Sequence, residues 1–452
     1  MSEGTVTMSH DVVIAGSGPL GIAAARRLAE RGASVLVLEQ GEAISDPPGS
    51  HFRNSDRFVA QPDSYLAAAT KYLEFIDDSQ PRDALPGAAV TRTVGGQGVI
   101  WTNLCPRGDA LWPVMSDEEW SARYAVAEEY LFVQTDRLEQ SIRQQLIGAE
   151  LGKVLEATGR KVEELPVAGQ FLDGGILHYT GPFDILNADV ELRKKVTMRH
   201  DRVNRIVTEG HKVKHLETAS GRVEARSYVI AGGAIGTPQL LFRSGIRPYA
   251  LGRYLSYHPL AVCQIVVAPE LCSTGDAVDV DPRIQVRPGG ETPWFTLVLH
   301  DVSPFEPTGE DVEVSPNRLV EIQSICPVDN EEHKRAIFHE EGHVTFDVPL
   351  SDADLGRMSA AEAEAHELTG LLGRIRQGCA LAWMPFGFAH MTGTTRMSAS
   401  NDGTGIADYQ GRVWDYDNLF LATNGLIPTR MSVNPTLTGV SLAIHMADHI
   451  QH

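Results

Sequence analysis

Positive charge is scarce in this chain: 39 lysines and arginines stand against 59 aspartates and glutamates, a formal net charge of -20. A surface of that sign repels polyphosphate and anionic lipid, so nucleic acid and membrane are poor partners. Long apolar runs are missing as well. None approaches the roughly 20 residues that a membrane span needs. The opening MSEGTVTMSH has neither the basic nor the apolar stretch of a secretory leader. A cytoplasmic protein is therefore expected. Cysteine is rare: Cys105, Cys263, Cys272, Cys326 and Cys379 are odd in number and form no CxxC pair. This argues against a disulfide framework or a zinc site and for reduced, mostly buried thiols, and no metal is expected. Low-complexity tracts and fixed-period repeats are absent, which leaves out solenoids and long disordered segments. What remains, 452 residues at 42% hydrophobic and 22% charged, suits a soluble globular protein of two domains.

The segment DVVIAGSGPLGIAAARRLAERGASVLVLEQG, from Asp11, reads as a strand, a glycine turn, an alanine-rich helix and a second strand. That is a βαβ unit. Gly16, Gly18 and Gly21 complete G-x-G-x-x-G at the strand-to-helix junction, where the chain must turn tightly, approach a pyrophosphate and pack helix on sheet. Glu39 ends the second strand, placed to accept hydrogen bonds from adenosine ribose hydroxyls. A dinucleotide is implied, without a choice between FAD and a nicotinamide.

Further along, VGGQG supplies Gly95, Gly96 and Gly98, a backbone able to lie close to a cofactor. From Thr197 to Ile230 the alternation predicts a small β meander that returns to the parallel sheet, and Leu419 to Ala422 a last strand ending at Asn424 and Gly425. Between His258 and His390 the pattern changes to short alternating strands (RIQVR, WFTLVLH, VEIQ, VTFDV), which predicts a mainly antiparallel sheet. His300, Gln323 and Trp383 are possible ligand contacts there, each equally readable as core or surface. Residues 109–150 have a helical pattern. Asn434-Pro435 heads an apolar C-terminal helix, and asparagine at the cap with proline in the first turn accounts for that start.

Four segments taken together resemble the glucose-methanol-choline (GMC) oxidoreductases, in their pyranose oxidase-like branch. They are the βαβ unit, TRTVGGQGVIWTNLCPR from Thr91, GGAIGTPQLLFRSGI from Gly232, and the chain from His390 onward. The resemblance implies an α/β fold: a Rossmann-like FAD domain, related to that of p-hydroxybenzoate hydroxylase, and a substrate domain on a mainly antiparallel sheet flanked by helices. The FAD domain would be discontinuous, from residues 1–50, 88–108, 195–258 and 405–452, and the substrate domain would take 51–87, 109–194 and 259–404. It implies FAD rather than a nicotinamide. In pyranose oxidases a histidine bonded to the flavin matches Ile100, so noncovalent FAD is expected here. Thr102 matches a threonine near flavin N5, Val203 would meet adenine through its backbone, and His258 reads as structural.

By the same resemblance His390 and Asn434 fall on the catalytic positions; Pro435 and Thr436 open the helix that follows. Their chemistry is coherent. Oxidising an alcohol removes a proton and a hydride, and a neutral histidine can take the first. Asn434 cannot take a proton but can hold the same hydroxyl. Pro435 to Thr438 would direct a helix N-terminus at the N1 and O2 edge of the reduced flavin. The expected enzyme oxidises a secondary ring hydroxyl (C3 or C2) of a pyranose sugar or glycoside, passes electrons to O2 or a quinone, and is a monomer. Its rivals are a GMC enzyme for a non-sugar alcohol, a lyase or isomerase with structural FAD, a nicotinamide-linked dehydrogenase, and a noncatalytic binding module.

Overall fold

The computed structural model describes residues 10–60, 68–76, 85, 87–109, 111–135, 141–172, 176–272, 282–300, 305–384, 387 and 389–452. Two sheets organise them. The first has five parallel strands in the spatial order Leu419–Leu421, Ala225–Ile230, His10–Ala15, Val35–Glu39, Val196–His200. Its central strands are continuous apolar runs because both faces are covered: Val12, Val13, Ile14, Val35 and Val37 have no exposed surface. Helix Pro19–Glu30 leaves the first strand through the glycine turn and buries Ile22, Ala23, Ala24 and Leu28. The C-terminal helix Thr436–His449 packs against it. The predicted meander is present as Val203–Glu209, Lys212–Thr218 and Gly221–Val223, and the chain then returns to the parallel sheet.

The second sheet is antiparallel and seven-stranded. Its path runs Gly373–Ile375, Leu260–Val267, Leu319–Ile325, Phe295–Leu299, Arg283–Val286, Val162–Glu164, with Ala382–Met384 also paired to Leu260–Val267. Alternation sorts its residues between two faces. Val320 and Ile322 join Cys263, Ile265 and Val298 beneath Leu368 and Leu372 of helix Asp352–Leu372 and Leu151 of helix Ile142–Leu155. Glu321, Gln323 and Ile325 face the opposite way, into a cavity shared with the first sheet. The fold is therefore α/β, with a dinucleotide-type parallel sheet under an antiparallel roof.

Candidate active site

A single cavity of about 1140 Å³ runs from the first βα turn to the roof. At one end Gly16, Gly18 and Gly21 border it together with Glu39 and Val203. The Glu39 carboxylate accepts from the Ser17 amide (3.0 Å), the Ser17 hydroxyl (2.7 Å) and the Gly41 amide (2.7 Å). A carboxylate has about four acceptor sites, so one remains after these three bonds. Gly96 and Gly98 border the middle, with Thr102 and Asn424 beyond. Gly95 and Gly425 are the chain neighbours of Gly96 and Asn424, which border it. The Gly95 amide donates to Ser17 Oγ (2.8 Å), tying its loop to the glycine turn, and Gly425 is packed beneath Thr394 and Thr395.

His390 and Asn434 meet at the other end, with Asn434 Nδ2 2.9 Å from His390 Nε2. This corrects the simplest account of the Asn-Pro start. The cap position of the C-terminal helix is Pro435, no side chain caps it, and Asn434 gives its amide to His390 instead. Pro435 and Thr436 border the cavity, so the first-turn amides of that helix, which lack intrahelical partners, begin at its wall. His390 has φ 61°, a left-handed conformation that costs a non-glycine residue of order 1–3 kcal/mol and that clusters at functional sites. Asn434 Oδ1 is buried with no partner among the described residues. An acceptor left this way beside a histidine suits the hydroxyl of a bound molecule.

Two further residues stand at this end. His258, expected to be structural, is buried against His390 with the two Nδ1 atoms 3.0 Å apart, and its Nε2 lies 2.6 Å from the Met431 carbonyl. Glu321 is 2% exposed on the roof; Gln323 Nε2 donates to it at 2.8 Å and Gln264 Nε2 at 3.4 Å. Its signal was available, an acid inside the apolar strand LVEIQSI, two residues from Gln323 and therefore on the same face. Of the three possible contacts named from sequence, Gln323 borders the cavity while His300 and Trp383 do not; Trp383 Nε1 donates to Glu362 (3.1 Å). Among the described residues one group, His339, Glu341 and His343, gathers metal-type side chains. Its imidazole planes are 8° apart with centroids 4.0 Å apart, so their in-plane lone pairs do not converge on one ion.

Burial decides the protonation of the histidines. Loss of solvent, and then the neighbouring His258, hold His390 well below its ordinary value. Burial takes His258 down to about 4 against the opposing pull of the Met431 carbonyl and Asp109, and takes His51 down to about 3. All three are neutral at pH 7. Because the unfolded chain binds protons near pH 6.5 and the folded one does not, stability is full above 6.5 and declines below it, by up to about 1.4 kcal/mol per pH unit for each histidine. Calorimetry from about pH 7.5 down to about pH 5 should show a steadily falling Tm; a flat Tm over that range would mean that these imidazoles are solvated.

Residues 11–337 match the family described as FAD dependent oxidoreductase, and residues 344–443 match the C-terminal domain of the GMC oxidoreductases. The chain belongs to the FAD-dependent oxidoreductases of the GMC type. This oxidoreductase is 31% identical to a C-glycoside 3-oxidase of Microbacterium trichothecenolyticum, over 100% of its own length and 98% of the relative. It is 28% identical to a pyranose 2-oxidase of Tricholoma matsutake, over 99% and 96% respectively. In fold it is similar to the crystal structure of pyridoxine 4-oxidase from Mesorbium loti (TM-score 0.71, 19% identity), over 98% of this chain and 100% of that one.

The residues present fit the FAD that the family binds. A Cβ at Gly18 would meet nothing within 4 Å, because that position faces the cavity, whereas one at Gly16 or Gly21 would strike backbone at 2.4 or 2.3 Å. Open space thus lies in front of the turn and close packing behind it. The Glu39 acceptor and the helix Pro19–Glu30 border the same space, which suits a ribose and a pyrophosphate.

Proposed function

We propose that this oxidoreductase converts a secondary ring hydroxyl, at C3 or C2, of a pyranose sugar or glycoside into a ketone. The observation that carries the reading is the meeting of a neutral His390 with the Asn434 amide, 2.9 Å apart, under a roof that presents Glu321 and Gln323. A polyol needs several hydrogen-bonding groups to orient it. The roof pair offers acceptors and donors side by side, and the two relatives that act on sugars or glycosides extend over nearly the whole chain.

In the proposed reaction the substrate hydroxyl displaces the Asn434 amide from His390 Nε2, which takes the hydroxyl proton, while the Asn434 NH2 group donates to the oxygen that loses it. FAD, when bound, supplies the hydride acceptor, from which electrons leave to O2 or a quinone. Thr102, exposed to the cavity, is proposed to bond the flavin N5 and O4 edge. The roof groups Glu321 and Gln323 would orient the sugar ring beside His390 and Asn434. Anaerobic titration with free sugars, aryl glycosides and simple primary alcohols tests this. Bleaching of the flavin absorbance by sugars or glycosides is expected; bleaching by the primary alcohols alone would overturn the sugar reading.

Noncovalent attachment is part of the proposal. Ile100 borders the cavity but has no nucleophilic atom with which to bond a flavin. Acid precipitation should leave all the yellow colour in the supernatant, and flavin retained in the pellet would contradict it. A reducing, cytoplasmic setting is likewise proposed: all five cysteines are free, and burial pushes the Cys326 thiol up to about 12.

A further inference from the structure

Four groups stand in a row through the wall of the cavity: the Met431 carbonyl, His258, His390 and Asn434. They lie 2.6, 3.0 and 2.9 Å apart in that order. Three of them can donate or accept according to how they are protonated or turned. One cannot. A carbonyl oxygen only accepts, so His258 Nε2 must carry a hydrogen toward Met431. The opposite arrangement would set a nitrogen lone pair against an oxygen lone pair at 2.6 Å.

The rest follows link by link. His258 is buried and neutral, so with Nε2 protonated its Nδ1 is a bare acceptor. His390 Nδ1 faces that acceptor and must be the donor. His390 has no second proton, which leaves the lone pair on Nε2. Asn434 then has to turn its NH2 group to Nε2, and its Oδ1 is left without a partner among the described residues, in agreement with the observed orientation.

We propose that His258 is the positioning residue of the catalytic base: it fixes His390 as the Nδ1-H tautomer, so that the lone pair sits on Nε2 beside Asn434 and toward the cavity. This rests on the reading of His390 as the base and deepens it. Which nitrogen of a neutral imidazole is protonated depends on the bond made by the other nitrogen, so without His258 nothing in the row would select the reactive tautomer. The anchor is itself held. Met431 lies between Arg430, whose Nη1 is 2.5 Å from Asp329 Oδ1, and Ser432, whose amide donates to Asp109 Oδ1 at 3.0 Å. The segment that supplies the carbonyl is thus tied on both sides, and it continues directly into Asn434.

The test is nitrogen NMR of the FAD-loaded enzyme carrying ¹⁵N-labelled histidine, with His390 assigned by its disappearance in His390→Ala. In the unsubstituted enzyme the His390 pair should read as Nδ1 protonated and Nε2 bare, and the His258 pair as the reverse. His258→Leu should keep its FAD, move His390 toward the Nε2-H form, and slow flavin reduction about 10- to 100-fold, the usual effect of losing a partner that orients a working histidine. His258→Asn sets an amide oxygen where Nδ1 was; it should restore the tautomer and most of the lost rate, which a residue that merely fills space would not do. A protonated Nε2 on His390 in the unsubstituted enzyme would overturn the proposal, as would an unmoved His390 signal in the leucine variant. If the leucine variant does not fold, the spectrum of the unsubstituted enzyme decides alone. These spectra need no substrate, so the expected tautomer together with a flavin that no sugar bleaches would sink the sugar reading and leave this one standing.

Discussion

His390→Ala should bind FAD as the unsubstituted enzyme does and yet lose on the order of 10²- to 10⁴-fold in the rate at which substrate reduces the flavin. The two halves of that expectation come from different parts of the molecule. FAD retention is expected to depend on the glycine turn and Glu39, at the far end of the cavity from residue 390, and on the Gly96 loop at its middle. The rate depends on a lone pair at Nε2, which alanine lacks. Substitution has a second consequence of opposite sign. His390 is held in a left-handed backbone conformation with its ring desolvated; alanine removes the cost of burying an imidazole and keeps the backbone strain, but it leaves His258 Nδ1 and the Asn434 amide without their partner, so the two terms oppose one another. Stability should therefore change little near neutral pH, and the variant should lose less stability than its parent on acidification. Rapid-mixing reduction kinetics, flavin content and Tm on one preparation check all three. Normal reduction kinetics in a variant with full flavin content would remove His390 from the role of base.

Gly16→Ala and Gly18→Ala should fail in opposite ways although the two positions are two residues apart. At Gly16 the backbone has φ 117° and a new Cβ would sit 2.4 Å from the Ala231 carbonyl oxygen. The disallowed backbone adds roughly 1–3 kcal/mol, and overpacking adds about 1–3 kcal/mol more. Against a total stability of about 5–15 kcal/mol that is a severe loss, and a poorly folded, colourless protein is expected. At Gly18 φ is -63° and ψ 173°, which any residue adopts, and nothing lies within 4 Å of the new methyl group. Folding should be unaffected. The methyl group points instead into the space proposed for the pyrophosphate, where about 1–3 kcal/mol of overpacking corresponds to roughly 10- to 100-fold in FAD affinity. Tm of the flavin-free proteins and flavin titration separate the two effects. Equal behaviour of the two variants would mean that the turn does not present Gly18 to the cofactor.

Much of this was legible along the chain because it depends on neighbours in sequence. The glycine spacing, the buried apolar strands and the acid at Glu39 all lie within one βαβ unit, where local geometry decides the outcome. The sorting of the roof strand into Val320 and Ile322 on one side and Glu321 and Gln323 on the other follows from the two-residue period of a strand. Sequence by itself therefore determined the parallel sheet with its dinucleotide turn, the antiparallel second sheet, and, through the family resemblance, His390 and Asn434 as the residues to look for.

Tertiary structure decided what those residues touch. Asn434 could have capped its own helix, and only the approach of His390 from 44 residues away turned its amide elsewhere. Gly95 and Gly425 carry the composition of cofactor loops, and only the folded chain shows that they meet Ser17, Thr394 and Thr395. His258 shows the limit most clearly. Its partners are His390, 132 residues away, and the Met431 carbonyl, 173 residues away. A hydrogen-bond relay assembled from three distant segments leaves no period or spacing in the chain, and one of its members is a backbone oxygen that every residue type possesses. In the proposed relay that oxygen sets the tautomer of His390, so it could be found only once the chain was folded.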